Sequence, residues 1–122
     1  MSAPETIKID EVEYVRKDSL LEKSESLNGL EYKIVRTQSA GVFAGYLESR
    51  NGQEASMRKV RRIWFWAGAS SLSQLAEEGT KKPEDCKFPC EVDKIELTQV
   101  IEVLSVTKKG QKSIQSVKVW QQ

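Results

Sequence analysis

The dipeptide Asn51-Gly52 sits between two runs of strand-forming residues, VFAGYLESR before it and a longer stretch from Glu54 to about Trp66 after it. Both positions tolerate left-handed backbone, so the pair predicts a tight hairpin that sets the two runs antiparallel. The second run is about twice the usual strand length, which predicts a bulge or bend near Arg58 to Val60. Upstream, LEYKIVRT alternates, with Tyr32, Ile34 and Arg36 on one face and Lys33, Val35 and Thr37 on the other. Ser39-Ala40-Gly41 then interrupts the pattern, as a tight turn or as the lip of a ligand site. A three-stranded meander over about residues 30–66 is therefore expected at the centre of the fold.

On either side the signals are weaker. TIKIDEVEYV alternates as a short hairpin or bent strand, and Asp18-Ser19 opens a single helical turn that closes before Asn28-Gly29. Leu72, Leu75 and Ala76 share one face of a helix over about 70–78, with Ser70 or Ser71 as its cap and Gly79 at its end. Pro83 and Pro89 make 81–91 an irregular loop. From Lys94 to Val106, β-branched residues predict one or two strands with a kink at Leu97-Thr98-Gln99. Lys108 to Lys112 reads as a basic turn, and Ile114, Val117, Val119 and Trp120 as a last strand or packed tail, within C-terminal strands spanning about 94–120. The expected fold is mainly β (α+β): one domain over 1–122, a small curved antiparallel sheet or partly open barrel with one short helix.

At 122 residues the chain is long enough for one core. A net charge of +1 gives no overall field for DNA, RNA or an anionic membrane, so any basic site must be local. No apolar run approaches the ~20 residues of a membrane span, and the first ten residues lack a basic stretch followed by an apolar one. No membrane partner is expected, and the expected location is the cytoplasm. Histidine is absent, which removes Ser-His and Cys-His pairs, histidine-bearing metal sites and the usual group that titrates near neutrality. Cys86 and Cys90 are too few for a zinc site and read as two free thiols, with a disulfide or redox role as the alternative. Neither a metal nor a cofactor is expected, and no catalytic residue is assigned.

The chemistry is concentrated between Arg58 and Gly79. Strict alternation puts Arg62, Trp64 and Trp66 on one face of a strand and Arg61, Ile63 and Phe65 on the other, with the Ile63 and Phe65 face as the expected core. Arg62 beside two indoles would make a platform on which a base stacks and a phosphate pairs. The alternative is that Trp64 and Trp66 are buried beneath the helix or in a subunit interface. Gly68 to Ser71 would offer backbone amides and hydroxyls to an anion, or serve as an ordinary cap. The candidate ligand-binding residues are Arg36, Arg58, Arg61, Arg62, Trp64, Trp66, Ser70 and Ser71.

Three runs carry a family likeness: Tyr14-Val15-Arg16-Lys17-Asp18-Ser19; Ile34-Val35-Arg36-Thr37 with Ser39-Ala40-Gly41-Val42; and Arg61-Arg62-Ile63-Trp64-Phe65-Trp66 with Gly68-Ala69. Across about Ile7 to Trp120 the chain resembles a family of small proteins encoded by tailed bacteriophages and prophages. Gln38 departs from the family's frequent aromatic, and Leu104-Ser105-Val106 lacks a proline common near that strand's end. The resemblance implies a phage origin and a single compact domain, and it transfers no catalytic residue; with a phage origin, the expected location is the host cytoplasm. The expected function is non-enzymatic binding that sequesters a small anionic or nucleotide-like ligand, such as a phosphorylated host defence signal, with homo-oligomers as a means of deepening the site. The alternative is a virion accessory or adaptor that contacts another phage or host protein through its aromatic and arginine side chains.

Overall fold

A computed structural model describes residues 22–121. The expected short hairpin or bent strand at the N-terminus and the start of the helical turn at Asp18-Ser19 lie outside the described residues. Five strands form one antiparallel sheet: β1 (Glu31–Thr37), β2 (Val42–Asn51), β3 (Glu54–Arg62), β4 (Val92–Leu97) and β5 (Val100–Ser105). Among the described residues, two short helices accompany them, α1 (Leu72–Glu78) and α2 (Lys108–Ser116), with a 3-10 turn at Pro83–Asp85.

The meander forms as expected, β1 pairing with β2 and β2 with β3. Its hairpin turn falls one residue late. Asn51 pairs with Glu54, which leaves Gly52 and Gln53 at the tip, and Gly52 takes the positive φ of 62°. The bulge also appears where strand length predicted it. Ala44 faces Arg61 and Tyr46 faces Arg58, so Lys59 and Val60 together oppose Gly45, and Lys59 has a φ of 49°.

Strand order is β4-β3-β2-β1-β5, which puts the consecutive strands β4 and β5 on opposite edges. Only Thr98 and Gln99 join them. A flat five-stranded sheet would hold its edges roughly 19 Å apart, whereas Leu97 to Val100 can reach no more than roughly 11 Å. The sheet must therefore curl until its edges meet at this corner. Two hydrogen bonds fix the corner: Val100 N–H donates to the Gln53 carbonyl and Gln38 N–H to that of Gln99, both at 2.9 Å. No ladder joins β4 to β5, so the sheet is curled but not closed into a barrel.

Curling divides the core in two. The concave side is filled by Val35, Phe43, Met57, Val60, Leu97 and Val100. The convex side presents Tyr32, Ile34, Ala44 and Ile63 to Leu75 and Ala76 of α1, Ile114 of α2, and Phe88 and Val117. Burial pushes the Tyr32 phenol above its usual range.

The C-terminal region differs most from expectation. Lys108 to Ser116 is a helix rather than a basic turn leading into a strand. Thr107 caps it, its hydroxyl accepting from Gly110 N–H, while Gln111 and Ile114 turn one face inward. The lysines that suggested a solvated turn occupy the opposite, wet face. Beyond α2, Val119 makes a parallel bridge with Phe88, which is all that remains of the expected last strand.

Candidate functional site

After Arg62 the chain leaves its pairing with β2. Ile63 N–H still donates to the Val42 carbonyl, but Trp64 and Phe65 N–H both turn to the carbonyl of Lys87. Two successive amides aimed at one acceptor cannot keep a strand's alternation. The platform expected from Arg62, Trp64 and Trp66 on one face therefore does not assemble. Trp64 is 64% exposed, Phe65 is 50% exposed instead of buried, and Trp66 packs half-buried against the convex core.

The arginines separate in the same way. Arg61 is only 5% exposed. It donates to the backbone carbonyls of Phe88 (2.7 Å), Pro89 (3.1 Å), Ile114 (3.0 Å) and Val117 (2.7 Å). Burial draws its guanidinium below the usual value, opposed by the charge of Glu91. These contacts turn Arg61 inward as a structural clamp, away from any ligand in solvent. Arg62 lies on the other side of the strand, its guanidinium 4.9 Å from the centre of the Phe43 ring. Arg58 reaches Glu48 and Asp93, each at 3.3 Å.

Arg36 and Trp66 do come together. They line an open groove of about 600 Å³ on the convex side, between the β1–β2 turn and the first turn of α1. Gln38, Ser39 and Gly41 form one rim, Leu72 and Ser73 the other, and Glu102 of β5 stands beside Arg36. The β1–β2 rim is a pinned turn. Thr37 N–H and Oγ1 both donate to the Gly41 carbonyl, at 2.9 and 2.8 Å, while Ala40 N–H donates to Thr37 Oγ1 at 3.0 Å. The Ser39 hydroxyl donates to the side-chain carbonyl of Gln99.

Across the groove, Ser71 caps α1, its hydroxyl accepting from Gln74 N–H at 3.2 Å. Ser70 contributes differently from expectation. Both its N–H and its hydroxyl donate to Gln74 Oε1 at 2.7 Å, so the amide once available to an anion already has a partner. Polar contact in the groove falls instead to Arg36, Gln38, Ser39 and Ser73, with Trp66 and Leu72 as its apolar part.

Electrostatically the groove is mixed. Arg36 Nε donates to Glu102 Oε1 at 3.0 Å, and both side chains are nearly half exposed. Arg36 and Glu102 are directly opposed across β1 and β5. Sequence reasoning missed Glu102 because nothing in chain order says that β5 lies beside β1. Among the described residues, no three His, Cys, Asp or Glu side chains stand where they could share a metal ion. Both cysteines are free thiols, Cys86 buried and Cys90 exposed. No helix among the described residues is long and apolar enough to cross a membrane.

The family model described as Domain of unknown function (DUF6948) matches residues 30–114. The chain belongs to this family. The DUF6948 region takes in all five strands, α1, most of α2 and every residue that lines the groove, whereas Val119 and Trp120 lie beyond it. No curated protein and no solved structure matches the chain.

Proposed function

We propose that this chain is a non-catalytic binding protein whose groove holds a small molecule of nucleotide type, with a flat ring against Trp66 and an anionic group on Arg36. The observation that carries this reading is the meeting of Arg36 and Trp66 in one groove of about 600 Å³, a volume within the range of small-molecule sites. Stacking of a base on an aromatic ring contributes about 1 to 3 kcal/mol. Glu102 is the ligand's competitor for Arg36. An exposed ion pair of this kind contributes at most about 1 kcal/mol, so an incoming phosphate can replace the carboxylate at small cost. The likeness to small phage proteins supports a setting in the cytoplasm of an infected cell, where binding alone sequesters a phosphorylated host signal.

Isothermal titration calorimetry against cyclic dinucleotides and cyclic ADP-ribose isomers tests this. At least one should bind, with affinity reduced about tenfold or more in Arg36→Gln and in Trp66→Ala. Glu102→Gln should tighten the same ligand by up to about fivefold. Absence of heat for the whole panel, or binding indifferent to Arg36 and Glu102, contradicts the reading.

A further inference from the structure

Away from the groove, three short segments lie side by side. Trp64 and Phe65 N–H donate to the Lys87 carbonyl, and Phe88 forms a parallel bridge with Val119 and accepts from Trp120 N–H. Trp64, Phe65 and Val119 are 64%, 50% and 48% exposed, and Trp120 is half-buried beside them. Lys87 occupies the middle. Its ammonium lies 5.8 Å from the centre of the Phe65 ring and 5.6 Å from that of Trp120, within the range of cation–π attraction. No carboxylate of the described residues stands within ion-pair distance of it. The patch is held in place from behind, because Arg61 binds the Phe88 and Val117 carbonyls on either side of it.

We propose that this aromatic patch around Lys87 docks a protein segment that carries a carboxylate next to an apolar side chain. Charge complementarity selects that occupant. A lysine between two rings, with no carboxylate of the described residues beside it, offers an exposed cation to one acidic side chain, while Trp64 and Phe65 offer apolar contact around it. A second copy of the chain fits poorly. A two-fold axis through the patch would set Lys87 against its own counterpart, and like charges in an interface are costly. Single-stranded nucleic acid also fits poorly, since it needs a basic track along its backbone. Here Glu84 and Asp85 precede the lysine and Glu91 follows it in the chain.

The test uses the full chain and a fluorescein-labelled peptide in which glutamates alternate with leucine and phenylalanine. Its controls are a peptide with lysines in place of the glutamates and a labelled oligothymidine. Fluorescence anisotropy should show saturable binding of the acidic peptide alone. Lys87→Glu and Trp64→Ala should each weaken it by about thirtyfold, Lys87→Arg should retain it, and Arg36→Gln in the groove should leave it unchanged. Both altered side chains are exposed, so the variants keep the fold, which circular dichroism verifies. Equal binding of the lysine peptide, tighter binding of oligothymidine, or acidic-peptide binding indifferent to Lys87→Glu overturns the proposal. So does a dimer in sedimentation velocity that Trp64→Ala dissociates. Because the groove is tested by different variants and ligands, failure of one proposal leaves the other standing.

Discussion

Adjacent arginines in this chain have opposite roles, and the sequence offers little to tell them apart. Arg61 and Arg62 differ only in parity along β3. Parity says that they point to opposite sides, not which side is covered by α2 and the 88–89 segment. Because Arg61 supplies charged donors to four backbone carbonyls, its removal leaves polar groups of a dry region with fewer partners. Two of those carbonyls, Ile114 and Val117, belong to the end of α2, where orphan acceptors and the helix dipole both favour a cation. Arg61→Ala should lower unfolding free energy by about 3 kcal/mol or more. Arg62→Ala, which loses one contact with an aromatic face, should cost under about 1 kcal/mol. Urea denaturation of the two variants checks this, and equal costs would mean that the clamp is not what holds α2 down. Arg36 was legible as a candidate because it is a basic residue next to a turn. Its partner Glu102 was not, since an opposed pair across β1 and β5 is a property of the sheet and invisible along the chain.

Among the elements, the hairpins were readable and the partners of the last strands were not. Asn51-Gly52 and the excess length after Glu54 reported local geometry, which a turn and a bulge decide within a few residues. Where β4 and β5 pair is decided by the curl of the whole sheet, and the sequence between Lys94 and Val106 says only that strands exist. α2 was missed because its lysines dominate the local pattern, although Thr107 at the cap and the spacing of Gln111 and Ile114 carried the helical signal. The bulge opposite Gly45 makes a sharper prediction. A Cβ at that position would lie 2.7 Å from both Cα and Cβ of Val60, closer than the backbone can accept without the strands moving apart. Gly45→Ala should therefore destabilise by about 1 to 3 kcal/mol, read as a lowered thermal midpoint by calorimetry. An unchanged midpoint would show that β2 and β3 already stand further apart there.

At the scale of the molecule, a two-residue link between opposite sheet edges accounts for the architecture. It curls the sheet, splits the core into concave and convex halves, and brings β5 beside β1 so that Glu102 stands next to Arg36. The loss of alternation after Arg62 then sends the tryptophans in different directions, Trp66 to the groove and Trp64 to the patch around Lys87. The chain's three tryptophans thus report on two separate surfaces. The most direct measurement is a two-dimensional NMR titration that follows the three indole N–H resonances while the tightest-binding cyclic nucleotide is added. The groove account predicts that the Trp66 resonance shifts and saturates while those of Trp64 and Trp120 hold their positions. A titration that moves Trp64 and Trp120 and leaves Trp66 in place would contradict it.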